Sequence, residues 1–399
     1  MPRALIIGAG VAGPITAMFL LRAGWDVEVF EADATPDAFA GLFLNVATNG
    51  LSVLDQLGLK ERLLTDGHRA SSMVMRSGSG RELGRVPNGP AGDPARGSVI
   101  VRRAWLHEVI RDAALAAGVP IVQGARLVSI DETSDRVRAT FADGRTAEGD
   151  VLIGADGIRS FTRSWIDPGA PAPRYSGLVG TGGFARVPGL EPTPDTQYMV
   201  FGARSFFGYL VRTDGTAYWF ANLTSPEPAR GSLRGIRSSD WLARLRDLHS
   251  DDPAPVPGIL AATDGDVGGY PIYELSGVQR WSRGRVVAIG DAVHAMSPSA
   301  GQGASLALED AITVAKCLRD LPTPEAAFAE YQRLRQPRAA AVAKYARAID
   351  ARKRVTKSRF GIAMRDRMMP LFLKKAANDT RNDWLYNAEI PWDRSLVRR

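Results

Sequence analysis

Three apolar runs along the chain end in the same way. Residues 4–7 (ALII), 151–153 (VLI) and 286–289 (VVAI) are unbroken apolar stretches, and each stops at a glycine, namely Gly8, Gly154 and Gly290. Runs this short, with no polar alternation, have the pattern of parallel strands buried on both faces. A fourth strand is expected at 27–30. Elsewhere the hydrophobic period lengthens to helical spacing. One helix is predicted after Arg102-Arg103, with Leu106, Val109, Ile110, Ala113 and Ala114 on one face, and another at 304–319, with Ala304, Leu308, Ala311, Ile312 and Ala315. Further helices are expected at 324–354 and 359–375, and a short one within 41–58.

Other segments alternate with the period of a strand. Residues 70–86 read as a hairpin around Ser77-Gly78-Ser79-Gly80, 87–97 as a proline- and glycine-rich connection, and 120–148 as a meander of short strands. Within 174–278, strands are expected at 177–187, 197–201, 206–211 and 217–223, separated by proline-rich turns. The fold class is therefore α/β. A Rossmann-like domain (1–67, 98–173 and 279–350) is interrupted by a discontinuous, mainly antiparallel β-sheet domain (68–97 and 174–278), and C-terminal helices follow (351–399).

With 399 residues of which 45% are hydrophobic, the chain has ample material for an extended core. Its single cysteine, Cys317, rules out a disulfide within the chain and sits in a helical apolar pattern as a small core residue. The net charge of +7 is scattered and lacks interleaved aromatic platforms, so nucleic acid is not an expected partner. The apolar stretch at 4–21 imitates a membrane span, but Gly8, Gly10 and Gly13 at this spacing have a globular explanation, so no membrane partner is expected and the location expected is cytoplasmic.

That explanation is a nucleotide cradle. In Gly8-x-Gly10-Val11-Ala12-Gly13, the first glycine permits a tight turn, the second lets a pyrophosphate reach the backbone, and the third allows close packing of helix on strand. Glu31, at the end of the next strand, can accept hydrogen bonds from a ribose and would repel a ribose phosphate, which favours FAD or NAD over NADP at this site. The other two strand ends, Gly154-Ala155-Asp156-Gly157 and Gly290-Asp291, present carboxyl termini to a shared ligand. After Pro298, the stretch Gly301-Gln302-Gly303-Ala304 opens a helix whose small residues leave its N–H groups accessible to a flat, electron-rich group such as a flavin.

The strands of 174–278 carry Phe201, Phe206, Phe207, Tyr209, Tyr218, Trp219 and Phe220. Alternation divides them between two faces, one packing a core and the other lining an apolar pocket, and it leaves Tyr209 and Trp219 open between the two. Arg212 is a candidate partner for an acidic group. His294, following the Gly290-Asp291 turn, either packs that turn or meets the ligand. The four histidines are too dispersed for a metal site, and neither a GxSxG elbow nor a P-loop occurs. No catalytic side chain is therefore named, and the chemistry is expected to come from a cofactor.

GAGVAG with Glu31, GADGIRS, and GDAVHAMSPSAGQGASLALEDA together resemble the p-hydroxybenzoate hydroxylase type of FAD-dependent monooxygenase, the group A enzymes. The resemblance implies that Gly8, Gly10, Val11, Ala12, Gly13 and Glu31 hold the ADP half of FAD, and that Arg103 meets its phosphates or ribityl chain. It places Asp156 and Gly157 in a motif serving both FAD and NAD(P)H, Gly290 and Asp291 at the ribityl chain, Pro298 near the isoalloxazine, and Gly301, Gln302, Gly303 and Ala304 at its pyrimidine edge. It also implies NAD(P)H-driven oxygenation of an aromatic or polycyclic small molecule by O2 through a flavin C4a-hydroperoxide, with Phe201, Tyr209, Arg212, Trp219, His294 and Pro298 as substrate-side candidates. Hydroxylation leads, with epoxidation, Baeyer–Villiger insertion and tetracycline-type inactivation open. A flavin oxidase or dehydrogenase, and a non-catalytic flavin-binding partner, stand as alternatives. Residues 32–40 lack the arginine often found there in the family, and the compact form without a C-terminal thioredoxin-like domain is expected.

Overall fold

The computed structural model describes residues 1–35, 42–353, 358–377 and 379–396. The end of the helix expected at 324–354, and part of the loop after Glu31, lie outside the described residues. A six-stranded sheet runs in the order Ser282–Arg283, Val286–Ala288, Val151–Gly154, Arg3–Ile7, Asp26–Phe30, Ile121–Val122. Every neighbouring pair is parallel except the first. Its central strands are sealed on both sides: Ala4, Leu5, Ile6, Leu152, Ile153, Val286 and Val287 are all fully buried, as a continuous apolar run demands. Helices Ala12–Arg22 and Gly303–Asp320 both pack into the core built on this sheet.

A seven-stranded sheet is assembled from the alternating segments, in the order Gly269–Glu274, Arg174–Arg186, Thr216–Thr224, Phe206–Val211, Thr196–Phe201, Ser72–Ser77, Glu82–Pro87. The expected hairpin is the pair Ser72–Ser77 and Glu82–Pro87, joined to the rest by the parallel pairing of Ser72–Ser77 with Thr196–Phe201. A small sheet of Phe43–Val46, Ser98–Arg102 and His68–Ala70 lies at the junction of the two large ones.

The structure departs from the sequence expectation in three places. Phe43–Val46 is a strand where a loop was expected; it pairs with Ser98–Arg102, a partner far away in sequence. The meander is Leu127–Glu132, Val137–Phe141 and Thr146–Gly149, while Ile121–Val122 joins the parallel sheet. Residues 174–278 also contain two helices, Ser238–Leu248 and Val256–Ala261. These bury Trp241, Leu242, Leu245, Val256, Ile259 and Leu260 against one face of the seven-stranded sheet.

Candidate functional site

The three glycine-ended strands lie side by side, with Ile7 opposite Gly154 and Gly154 opposite Ala288. Their ends are laced by backbone bonds: Gly8 N–H donates to Phe30 O (2.7 Å), Ala155 N–H to Ile7 O (2.7 Å) and Ile289 N–H to Gly154 O (2.9 Å). The glycines of the first turn have separate reasons to be glycine. Gly8 sits at φ +106° and a Cβ there would stand 2.3 Å from Ala155 O, while a Cβ on Gly13 would stand 1.9 Å from Gly8 O. Both positions are closed by protein. A Cβ on Gly10, Gly157 or Gly303 meets nothing within 4 Å. The backbone is bare there for an approaching ligand, on each of the three strand-following segments.

Two helices begin at this place. Ala12–Arg22 starts at Val11 and Gly303–Asp320 at Gln302, and neither has a side-chain cap or an acidic residue in its first turn. Their first N–H groups therefore present positive partial charge without an internal acceptor. The two starts converge on Gly290, whose Cβ position lies 3.4 Å from Ala307 Cβ and 3.8 Å from Ala12 Cβ. Open glycine backbone beside uncapped helix starts suits a ligand with a pyrophosphate and an electron-rich ring, so the residues present fit FAD.

The acidic residues divide between framework and opening. Glu31 accepts from Ala9 N–H through Oε2 (2.7 Å) and from Asp33 N–H through Oε1 (3.0 Å), tying the glycine turn to the end of the second strand. Asp156 takes the Ser160 hydroxyl (2.6 Å), Thr162 N–H (2.9 Å) and the Thr162 hydroxyl (3.0 Å), so its carboxylate fixes the loop around Gly157. Asp291 is different: its side is exposed, yet crowding protein raises its carboxyl pKa, against the opposing pull of His294 and Arg103. Arg103, exposed at the start of its helix, also keeps His107 neutral: burial first, and then the Arg103 charge, lower its pKa to about 4.

His294 lies beneath the site. Its Nε2 is 2.6 Å from Asp310 Oδ2, an oxygen that also accepts Gly290 N–H at 2.8 Å. Arg335 Nε bonds the other oxygen at 2.6 Å, and Glu309 alongside is held by Arg335, Arg338 and Asn49. Burial would raise the Asp310 pKa, but His294 and Arg335 outweigh it and hold the carboxyl far below its usual range. Arg335, Glu309 and Asp310 are buried, so this cluster anchors the Gly290 turn to the long C-terminal helix Pro324–Lys353.

Several residues of the site carry no signal in the sequence. Arg163 is buried and donates to Ile158 O (3.0 Å) and Ala292 O (2.8 Å), joining the second strand end to the third. Asn45 donates to Gly301 O (3.1 Å), Ala47 N–H to the Ser305 hydroxyl (3.0 Å) and Asn49 to Gln302 Oε1 (3.0 Å), so residues 45–49 hold the start of the Gly303–Asp320 helix. The adjacent carboxylates Glu309-Asp310, set among the apolar residues 306–308 and 311–312 of this helix, are the sequence signal that points to this framework.

The substrate-side candidates separate. Cross-strand pairs put Tyr209 opposite Trp219, Phe207 opposite Ala221, Gly208 opposite Phe220 and Leu210 opposite Tyr218. Paired residues share a face, so Tyr209 and Trp219 are together with Phe207 on the face covered by Ser238–Leu248 and Val256–Ala261. Trp219 is fully buried, donates to the Thr263 hydroxyl (3.0 Å) and stacks on Phe207 (5.5 Å, 7°). Both residues therefore pack a core. Arg212 is engaged by Asp66 (2.9 Å) and the Tyr218 hydroxyl (3.1 Å). Phe201 is on the opposite face, packed with Phe206, and Pro298 stands exposed at the head of its turn. That opposite face also carries Phe220, half-buried, which meets Phe43 edge-on (6.0 Å, 73°). Phe43 lies two residues before Asn45, the residue that holds Gly301. The Phe220 face therefore looks toward the start of the Gly303–Asp320 helix.

A family model described as FAD binding domain matches residues 2–346. The 3-amino-4-hydroxybenzoate 2-monooxygenase of Streptomyces cremeus is 32% identical over 352 residues, covering 86% of this chain and 86% of its own. The 6-hydroxynicotinate 3-monooxygenase of Bordetella bronchiseptica is 30% identical over 355 residues, covering 86% and 89%. Among solved structures, Klebsiella pneumoniae HpxO complexed with FAD and uric acid shares the fold, with a TM-score of 0.82 at 24% identity, covering 95% of this chain and 97% of that one. This chain belongs to the FAD binding domain family and is a flavoprotein of its FAD-dependent aromatic monooxygenases.

Proposed function

We propose that the protein uses NAD(P)H and O2 to hydroxylate a planar aromatic or polycyclic small molecule held between the Phe220 face of the seven-stranded sheet and the start of the Gly303–Asp320 helix. The bridge made by one strand, from Phe43 against Phe220 to Asn45 on Gly301, is the observation that carries this reading. When bound, FAD would accept two electrons from the nicotinamide and activate O2 so that one oxygen atom enters the substrate and the other leaves as water.

The chain's own residues would bind, orient and exclude water. Gly8, Gly10, Gly13 and Glu31 would hold the nucleotide half, with Arg103 and Asp291 nearer its middle. The uncapped helix start at Gln302, without an acid in its first turn, favours negative charge placed against it. Phe43, Phe184 and Phe220, each half-buried, offer apolar surface with Tyr218 buried behind them, while the Arg212 charge is already met by Asp66. Neutral, planar substrates are favoured over small anionic acids. The two relatives act by name on substituted aromatic rings, which supports an aromatic substrate; both of those rings carry a carboxylate, so the preference for neutral substrates rests on the Arg212–Asp66 pairing alone.

The test is NAD(P)H consumption across a panel of neutral and anionic aromatics, followed by product mass under 18O2. Label in the product supports the reading. Peroxide without label supports a flavin oxidase, and the absence of any ligand-stimulated consumption removes the enzyme reading for the panel.

A further inference from the structure

The helix Arg359–Ala377 is apolar on two sides. Its inner side is docked: Met369 and Leu373 pack against Leu83, Met199, Phe201 and Phe206, and Arg365 Nη2 donates to Phe201 O at 3.1 Å. Pro370 has no N–H for the carbonyl of Asp366, which instead accepts from the Arg81 guanidinium. The outer side carries Phe360 (75% exposed), Met364 (46%), Met368 (40%), Leu371 (66%) and Phe372 (65%). At about 100° per residue these side chains fall within roughly 120° of arc, directed away from the sheet. A contiguous stripe of this kind on one helix marks an interaction surface.

The charges on the helix say what covers it. Arg367 and Lys374 are exposed along one edge of the stripe, and Lys375 is exposed where the stripe ends toward the C-terminus. The helix holds one acidic residue, Asp366, and that one is paired with Arg365 at 2.8 Å. Among the described residues the outer face of the helix is therefore apolar and cationic with no carboxylate of its own; Asp379, just past its end, is paired with Arg381. Two copies of this face brought together would crowd like charges along one seam.

We propose that this helix docks the protein on an anionic lipid surface. It lies in the plane of the interface, with Phe360, Met364, Met368, Leu371 and Phe372 at the acyl boundary and Arg367, Lys374 and Lys375 among the headgroup phosphates. Among the described residues no helix is long and apolar enough to cross a membrane, so the association is peripheral. This departs from the sequence expectation of no membrane partner, which was drawn from the apolar stretch at 4–21 and the scattered net charge. The exposed residues involved are separate from those that would hold FAD, and because the inner side of the helix packs in the cluster that includes Phe220, vesicle binding and NAD(P)H consumption are measured separately.

The test is sedimentation of the FAD-loaded protein with vesicles of phosphatidylcholine alone and of phosphatidylcholine mixed with phosphatidylglycerol. The expected result is binding at least about tenfold tighter to the anionic vesicles, weakening as salt rises. The double change Leu371→Asp with Phe372→Asp, and the double change Lys374→Glu with Lys375→Glu, should each reduce binding about tenfold while flavin content and far-ultraviolet circular dichroism stay unchanged. Failure to sediment with anionic vesicles at low salt overturns the proposal, as does equal affinity for both vesicles. So does a solution dimer that the Leu371→Asp and Phe372→Asp protein no longer forms, because the face then belongs to a second copy.

Discussion

The two faces of the seven-stranded sheet are equally aromatic and are used differently. On one, Phe207, Tyr209 and Trp219 are closed beneath Ser238–Leu248 and Val256–Ala261. On the other, Tyr218 and Phe220 meet Phe43, on the strand that holds Gly301. Side-chain chemistry does not separate the two sets, which alternate along the same strands. What separates them is the cover: two short helices seal one face into a core, while on the other the Arg359–Ala377 helix covers Phe201 and Phe206 and leaves Phe220 half-buried toward the cofactor side. The sealed parts contribute stability, and the half-buried part around Phe220 is available for a ligand.

The largest way to probe this difference is Trp219→Ala. Removing a fully buried indole that stacks on Phe207 and bonds Thr263 should cost about 3–5 kcal/mol in denaturant unfolding, with FAD still bound to the folded fraction. A loss below about 1 kcal/mol would mean the face is not a sealed core. Next is a pH effect. Burial first, then neighbouring Tyr198, raise the Tyr209 pKa to about 12, against the pull of Arg76. A raised folded-state pKa leaves stability intact below the unfolded value near pH 10 and removes it as pH climbs through 12, by roughly 2–3 kcal/mol. Comparing unfolding of the wild type and Tyr209→Phe between those limits checks it, since the variant should lose less.

Two glycines sharpen the contrast at smaller scale. A Cβ at Gly183 would lie 3.1 Å from the Trp219 ring, which is clamped and cannot swing, so Gly183→Ala should destabilise by about 1–3 kcal/mol. A Cβ at Gly208 would lie 2.2 Å from Phe220 Cε1, but this is the end of a half-buried ring that can turn. Gly208→Ala should therefore cost no more than about 1 kcal/mol while changing substrate affinity. Equal thermal shifts for the two variants would erase the distinction between the faces.

The legible parts of this protein were those where local geometry admits few residues. Gly8 and Gly290 sit at positive φ where strands end, and Gly13 lies so close to Gly8 that no other residue fits, so the three strand ends and a shared nucleotide ligand could be read from spacing, and the family resemblance made that ligand FAD. The helix beginning at Gly303 was equally readable. The choice between the faces was not. Alternation with period two is symmetric, and although the sealing helix Ser238–Leu248 carries Trp241, Leu242, Leu245 and Leu248 at helical spacing, which face of the sheet it covers has no mark in the sequence. The Phe43–Val46 strand and the Asp310–Arg335 pairing depend on partners far off in sequence, for which a single chain offers no local mark. Arg212 is a charged residue whose function as an ion-pair partner of Asp66 likewise appears only in the fold.

Contact between the substrate and the Phe220 face is the feature on which the proposed activity depends most. For any aromatic that stimulates NAD(P)H consumption, the direct measurement is its KM in Phe220→Ala beside its KM in Trp219→Phe, each protein fully loaded with FAD. Loss of one aromatic contact should raise KM about tenfold in Phe220→Ala, and Trp219→Phe should stay within about twofold of wild type. An unchanged KM in Phe220→Ala together with a tenfold rise in Trp219→Phe would contradict the account and put the substrate on the other face.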